Sequence, residues 1–275
     1  MGNAVRNVLK FIAVAMMLAS PADADSTDLR SLTTRDDSRG WDAVGRLNLG
    51  RDSFCTGSLI APNLVLTAGH CMFDKATGER ISAGDIEFLA GWRNGRAAAY
   101  RGVRRIIVHP EFKFTNDDVV GRVASDLALV ELDQPIRNNT MTPYQTKASP
   151  RKGADVGVVS YAQGRSEKPS LQEMCKVLAH RSGALVMSCD VDYGSSGAPV
   201  FVLEGGVARI VSVVSAKAMA GSVPVSLGTS LEEPLSELLA IMAQNDGVFS
   251  RPQPAVRVLS LQDAQSATGA KFVRP

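Results

Sequence analysis

The chain has 275 residues, 45% of them hydrophobic and 21% charged, which is enough apolar side chain to build the core of one large domain or two small ones. Its 30 Lys and Arg stand against 28 Asp and Glu, a net charge of +2, and no dense basic run interleaved with aromatics offers a surface to phosphate backbones. Nucleic acid is therefore not the expected partner.

Residues 1–24 carry Arg6 and Lys10, an apolar run from Phe11 to Ala19, and then Ala22-Asp23-Ala24, the plan of a signal peptide cut after Ala24. The apolar run is much shorter than the roughly 20 residues that span a bilayer. The expectation is export to a secreted or periplasmic location, with no membrane attachment once the signal is removed. Residues 25–40 are polar and aperiodic, which predicts a mobile leader or propeptide remnant.

From Val44 the texture changes to short β-rich runs bounded by turn signals: FCTGSLI before Pro62-Asn63, then LVLTA, YRGVRRIIV before His109-Pro110, and DLALVEL before Asp133-Gln134-Pro135. A long polar connection over residues 135–155 follows. The later runs are ADVGVVSYA, ALVMSCD, APVFVLE before Gly205-Gly206, and VARIVSVVS. Many short strands with almost no helical periodicity predict an all-β fold, most simply two barrels joined by that connection. One helix is expected, from Ser230 to Ala243, with Pro234 near its first turn. Residues 244–275 hold Pro252, Pro254 and Pro275 among small and polar residues and predict a weakly ordered tail.

The four cysteines, Cys55, Cys71, Cys175 and Cys189, include no C-x-x-C pair. In an exported chain an even number favours disulfides over a metal site. Of the three possible connectivities, Cys55 with Cys71 and Cys175 with Cys189 is expected, because each pair brackets a local hairpin-like segment. No H-E-x-x-H or comparable ligand cluster occurs, so no metal is expected.

The stretch DYGSSGAPV, Asp192 to Val200, sets two serines between glycines. Such a cluster taken alone is a turn signal, since a serine hydroxyl needs a base before it becomes a nucleophile. Only three histidines can supply one. His180 lies beside Arg181 at a turn, and His109 precedes Pro110 at a strand end. His70 ends the hydrophobic strand LVLTAGHC behind small residues that leave space around an imidazole. Asp126, at the mouth of the alternating run from Leu127 to Leu132, is the best carboxylate to orient that imidazole, although an Asp before a strand also reads as a turn cap.

TAGHC with Cys55 upstream, SDLALVEL and GSSGAPV, in that order, resemble the trypsin-like (chymotrypsin-fold) serine peptidases, in particular their secreted bacterial branch with the glutamyl endopeptidases. The resemblance covers roughly residues 41–243. It implies two six-stranded antiparallel β-barrels with a C-terminal helix, and a monomeric serine endopeptidase acting on protein or peptide substrates with no cofactor. Carried over by position, it makes His70 the general base, Asp126 its orienting carboxylate and Ser196 the nucleophile, with the backbone N–H groups of Gly194 and Ser196 as the oxyanion hole. A catalytically silent, binding relative is the alternative, and an esterase is disfavoured by the His, Asp, Ser order.

The departure from the family is Ser195. Animal digestive members carry there an aspartate that pairs with a newly cut amino terminus, and serine cannot form that pair. Local hydrogen bonds and packing are expected to hold the loop instead. For specificity, Asp190 falls where trypsin-type members place the carboxylate that receives Arg or Lys. Val211 falls where glutamyl-specific relatives place a histidine, and Val213 and Val214 follow on the same strand. Cleavage after Arg or Lys is therefore the expectation, with an apolar pocket of Val211, Val213 and Val214 as the alternative.

Overall fold

The computed structural model describes residues 28–51, 53–114 and 119–245. The expected signal peptide and nearly all of the expected tail lie outside the described residues. The strands in chain order are β1 (Arg30–Ser31), β2 (Val44–Leu49), β3 (Ser53–Ala61), β4 (Leu64–Thr67), β5 (Ile86–Ala90), β6 (Ala99–Val108), β7 (Ala128–Leu132), β8 (Gln145–Thr146), β9 (Asp155–Ala162), β10 (Arg165–Arg181), β11 (Ala184–Met187), β12 (Pro199–Glu204), β13 (Val207–Ala220) and β14 (Val223–Ser230). Among the described residues two α-helices are present, α1 (Val119–Val123) and α2 (Glu232–Asn245).

Antiparallel pairing in the order β2-β3-β4-β7-β6-β5, with β2 returning to β5, closes the first barrel. Closure leaves no bare edge to recruit another chain. Leu47, Leu59, Leu66, Phe88 and Leu129 are fully buried and fill it. The remaining strands run in the order β10-β11-β14-β13-β12-β9, and a further β9–β10 pairing closes them into a second ring. The predicted pair of barrels is thus the observed architecture.

The connection between β7 and β9 is more than a spacer. Tyr144 lies on it, donating its N–H to Leu59 O at 2.9 Å and its hydroxyl to Gly40 O at 2.7 Å. Its ring meets Phe201 of β12 edge-on at 4.7 Å, and Phe201 meets Trp41 at 5.1 Å in the same manner. These three aromatics fasten residues 40–41, the connection and the second ring together. β8 continues the fastening by pairing in parallel with β13.

The predicted leader departs from expectation from Arg30 onward. Arg30 and Ser31 pair with Leu171 and Ser170 of β10, Leu32 is fully buried, and Thr34 and Asp37 cap a turn reciprocally. Polar composition concealed this because a single apolar residue, Leu32, anchors the segment. At the other end, α2 matches the predicted helix, with Leu235 and Leu238 buried against the first core and Glu232 and Glu233 in its first turn, where the helix dipole favours negative charge.

Because Phe201 is buried among aromatics from three segments, Phe201→Ala is expected to destabilise the fold by about 3–5 kcal/mol. Urea unfolding of the two proteins measures it; a cost under about 1 kcal/mol would show that this cluster is not a fastening point.

Candidate active site

β4 and β7 lie side by side with Thr67 opposite Ala128, so the chain leaving β4 and the chain entering β7 meet at one barrel end. The residues just beyond that register are His70, in a tight 3-10 turn over Gly69–Met72, and Asp126. Gly69 allows the approach: a Cβ there would stand 3.2 Å from Leu127 N and 3.3 Å from Asp126 Oδ1. Cys71, next to His70, is bonded to Cys55 of β3, so the turn is tied to its own barrel. Cys175 is bonded to Cys189, which gives both expected pairings.

The carboxylate of Asp126 is 1% exposed and fully engaged. His70 donates its backbone N–H to Oδ1 at 2.7 Å, and its Nδ1 lies 2.7 Å from Oδ2. Ser215 of β13 donates its hydroxyl to the same Oδ2. Burial alone would raise the Asp126 pKa, but the positive charge and hydrogen bonds of His70, together with the Ser215 hydroxyl, outweigh it and hold the pKa below its ordinary value. An ionised carboxylate at Nδ1 requires the proton on that nitrogen, which leaves the Nε2 lone pair for proton uptake.

Ser196 is presented by a turn in which the Ser195 N–H returns to Asp192 O at 2.8 Å. Gly194 takes φ +95°, and a Cβ there would strike the Phe54 ring at 2.3 Å, so both the dihedral and the space demand glycine. Thr56 of β3 donates its hydroxyl to Gly194 O at 2.9 Å and its N–H to Ser196 O at 2.8 Å, which locks both carbonyls toward the first barrel. Among the described residues, the N–H groups of Gly194 and Ser196 donate to no protein acceptor. The Gly194 and Ser196 amides, on either side of the bonded Ser195 N–H, are thus two donors on one turn without a protein acceptor.

His70 and Ser196 line one cavity of about 470 Å³, together with Lys75, Val191, Asp192, Tyr193 and residues 214–217. Two larger cavities, of about 630 and 830 Å³, lie elsewhere and contain neither residue. The predicted specificity residues do not gather here. Asp190 is exposed, donates its N–H to Gln172 Oε1 at 2.7 Å and is not part of the lining. Val211 and Val213 are fully buried in the cores, and only Val214 of that group reaches the cavity. His109 and His180 are engaged elsewhere, with Glu237 at 3.1 Å and with Pro150 O at 2.8 Å. Among the described residues the one His/Cys/Asp/Glu group close enough to share an ion is Cys55, His70 and Cys71, whose sulfurs are consumed by the disulfide.

Ser215, Lys75, Lys217 and Thr56 are the functional neighbours that the sequence reading missed. No motif marks them, and the one signal was the ending of the VARIVSVVS run at Ser215. Ser215, Lys217 and Thr56 reach the site through strand register, and Lys75 through the turn that follows the His70 segment.

Two closed six-stranded rings with a buried Asp–His pair at their junction define the double-barrel fold of chymotrypsin-type proteins. The model of the Trypsin family matches residues 33–226, more than half of the chain, and the chain belongs to that family. A glutamyl endopeptidase of Bacillus licheniformis is 29% identical over 150 residues, covering 54% of this chain and 45% of that protein. An uncharacterized peptidase of Corynebacterium glutamicum is 25% identical over 211 residues, covering 72% of this chain and 66% of that protein. The chain thus spans about half to two thirds of these relatives' lengths. A solved structure of a Glu endopeptidase in complex with MPD superposes with a TM-score of 0.64 at 20% identity, over 78% of this chain and 97% of the other, which establishes the shared fold.

The depressed pKa of Asp126 has a defined pH signature. A lowered folded-state value contributes stability that is present above the ordinary value of 3.8 and is lost as pH falls through the lower, folded value. The stability gap between wild type and Asp126→Asn is therefore expected to be constant near neutrality and to narrow only below about pH 4. Urea midpoints of both proteins from pH 7 to pH 2.5 test this, and a gap unchanged down to pH 2.5 refutes it.

Proposed function

We propose that the chain is an exported serine endopeptidase. Ser196 Oγ attacks the carbonyl carbon of a peptide bond while His70 Nε2 takes its proton. The carbonyl oxygen becomes an anion received by the N–H groups of Gly194 and Ser196. Collapse expels the amine, which takes the proton from His70, and leaves an acyl ester on Ser196. Water then attacks the ester with His70 again as base, releasing the acid and restoring the serine. Asp126 fixes the imidazole tautomer and stabilises the imidazolium throughout, and no metal or cofactor enters.

The observation that carries this reading is the buried Asp126–His70 pair whose imidazole lines the same cavity as Ser196. The two free amides beside Ser196 support it, as does the membership of the Trypsin family. Export is supported by the two disulfides, which persist in oxidising compartments. Among the described residues no helix is long and apolar enough to cross a membrane.

The residue accepted before the cleaved bond follows from the cavity's charges. A preference for Arg or Lys depends on Asp190, which is outside the lining. The cavity itself carries Lys75 and Lys217 against Asp192, two positive groups to one negative. We assign it a preference for an acidic side chain, in line with the named activity of the Bacillus relative.

Ser196→Ala and His70→Ala are each expected to lower turnover by at least about a thousandfold without altering the fold, and a fluorophosphonate is expected to label Ser196 stoichiometrically. Full activity in Ser196→Ala would end the serine mechanism. Digestion of an unbiased peptide library is expected to show cleavage after Glu or Asp that relaxes in Lys217→Ala. Dominant cleavage after Arg or Lys, abolished by Asp190→Ser, would restore the basic preference instead.

A further inference from the structure

Ser195, the neighbour of the proposed nucleophile, is completely buried, and its hydroxyl lies in a polar knot that the acyl-transfer steps do not use. The Asp192 N–H donates to it at 3.2 Å, and it donates in turn to Ser160 Oγ at 3.3 Å. Its other partner is a cation. Arg165 Nη2 reaches Ser195 Oγ at 3.1 Å and Ser160 Oγ at 3.0 Å, while Nη1 donates to Ser160 O at 2.6 Å. With two donors received and one proton given, the Ser195 hydroxyl is saturated.

Arg165 is the first residue of β10, paired with Ala162 across the tight β9–β10 hairpin. The same hairpin grips the turn a second time, since the Gln163 N–H donates to Tyr193 O at 2.7 Å. Among the described residues Arg165 forms no ion pair within 4.0 Å. Its half-buried guanidinium is thus held by serines and a carbonyl, with the charges of Asp190 and Asp192 acting on it at longer range. Hydrogen bonds from a charged donor are roughly twice as strong as neutral ones, so this is a firmer hold than serine alone provides.

We propose that Arg165 is a positioning residue that clasps Ser195 and so keeps the turn from Asp192 to Ser195 in the conformation that leaves the Gly194 and Ser196 amides free. This rests on the reading of Ser196 as nucleophile. Arg165 is not part of the lining of the cavity that holds His70 and Ser196, and it acts through Ser195. It supplies from within the second ring the electrostatic anchor that an aspartate and a new amino terminus supply in other family members. When the clasp is lost, the peptide before Gly194 is held by the Gln163 N–H on Tyr193 O without the support of a fixed Ser195, and it rotates more readily. The loss then falls on kcat, because the oxyanion forms only along the reaction path.

The test uses the full chain with Arg165→Ala, Arg165→Lys, Ser195→Asp and the Arg165→Ala/Ser195→Asp double variant. For each, kcat and KM are measured on one chromogenic peptide and the melting temperature is recorded. Arg165→Ala is expected to lower kcat by about 10- to 100-fold, part or all of one oxyanion donor's worth, with KM within about twofold and partial rescue by millimolar guanidinium. Ser195→Asp, which gives the guanidinium a carboxylate partner, is expected to keep kcat near wild type. The double variant is expected to fall below Arg165→Ala, because its buried carboxylate has lost its counter-charge. Wild-type kcat in Arg165→Ala, or an equal effect of Ser195→Asp with and without Arg165, overturns the proposal. If Arg165→Ala does not fold, Arg165→Lys decides: a reduced kcat at unchanged KM supports the clasp, and wild-type kcat overturns it. Failure of the serine mechanism shows separately, as activity surviving in Ser196→Ala or a wild type that resists fluorophosphonate.

Discussion

A carboxylate removed from water is the constraint around which this molecule is arranged. Asp126 is almost completely buried, and an ionised group in that position is tolerable only if every approach to it carries a donor. Three donors converge, and they come from different parts of the fold. Two belong to His70 at the end of β4 in the first barrel, and the third is Ser215 on β13 of the second ring. Thr229 of β14 adds a hydroxyl that donates to Val123 O at 2.7 Å and to Asp126 O at 3.2 Å, fixing the backbone that carries the acid. Satisfying Asp126 therefore requires both rings to be docked. Assembly of the fold and orientation of His70 are one event in physical terms, because the same hydrogen bonds accomplish both.

The turn that carries Ser196 obeys a parallel logic with the direction reversed. It belongs to the second ring, but Thr56 of the first barrel binds the carbonyls of Gly194 and Ser196, and its hydroxyl also receives the Tyr161 N–H at 3.1 Å. With those carbonyls held toward the barrel and the Ser195 N–H returned to Asp192 O, the Gly194 and Ser196 amides are left with no protein acceptor. The proposed oxyanion site is in this sense what remains after the turn's acceptors have been satisfied. Tyr161 itself is fully buried at the junction and donates its hydroxyl to Trp92 O at 2.9 Å. The contact between the rings is thus part polar, and its polar members are the ones that shape the turn.

Features encoded over a few neighbouring residues were legible from the sequence. The runs that became β3, β4, β6, β7, β9, β11, β12 and β13, the C-terminal helix, both disulfides and the small residues ahead of His70 are local patterns, and the structure reproduces them, whereas β2, β5, β10 and β14 were not singled out. Side-chain direction in the second ring was not legible, because it depends on register. Between Val214 and Ala216 the pairing of β13 with β14 shifts, so simple alternation from Val211 cannot forecast which residues reach the cavity. Val211 and Val213 turn into the cores, whereas Val214, Ser215 and Lys217 line the cavity. The exposure of Asp190 has a similar origin. Its N–H is held by Gln172 of β10, a partner that only the three-dimensional pairing brings near. Residues 30–32 were misjudged for the converse reason, since a two-residue strand with one buried leucine has no period to detect.

The two disulfides add to the order around His70 and the Ser196 turn. Each closes a short loop, with sequence separations of 16 and 14, and loops of that size restrict the unfolded chain by about 3 kcal/mol. Bonds spanning longer stretches would restrict it more. What these two positions contribute instead is local rigidity. Cys71 adjoins His70, so the imidazole's backbone cannot drift from β3, which also carries Thr56. Cys189 is tied to β10 just upstream of the Asp192 turn, and the same strand begins with Arg165. Each cross-link thus joins a segment bearing a proposed reactive group to a strand whose side chains contact that segment or its neighbours. An arrangement chosen for stability alone would have no reason to select those two strands, whereas one that holds a serine and an imidazole in register has both reasons at once.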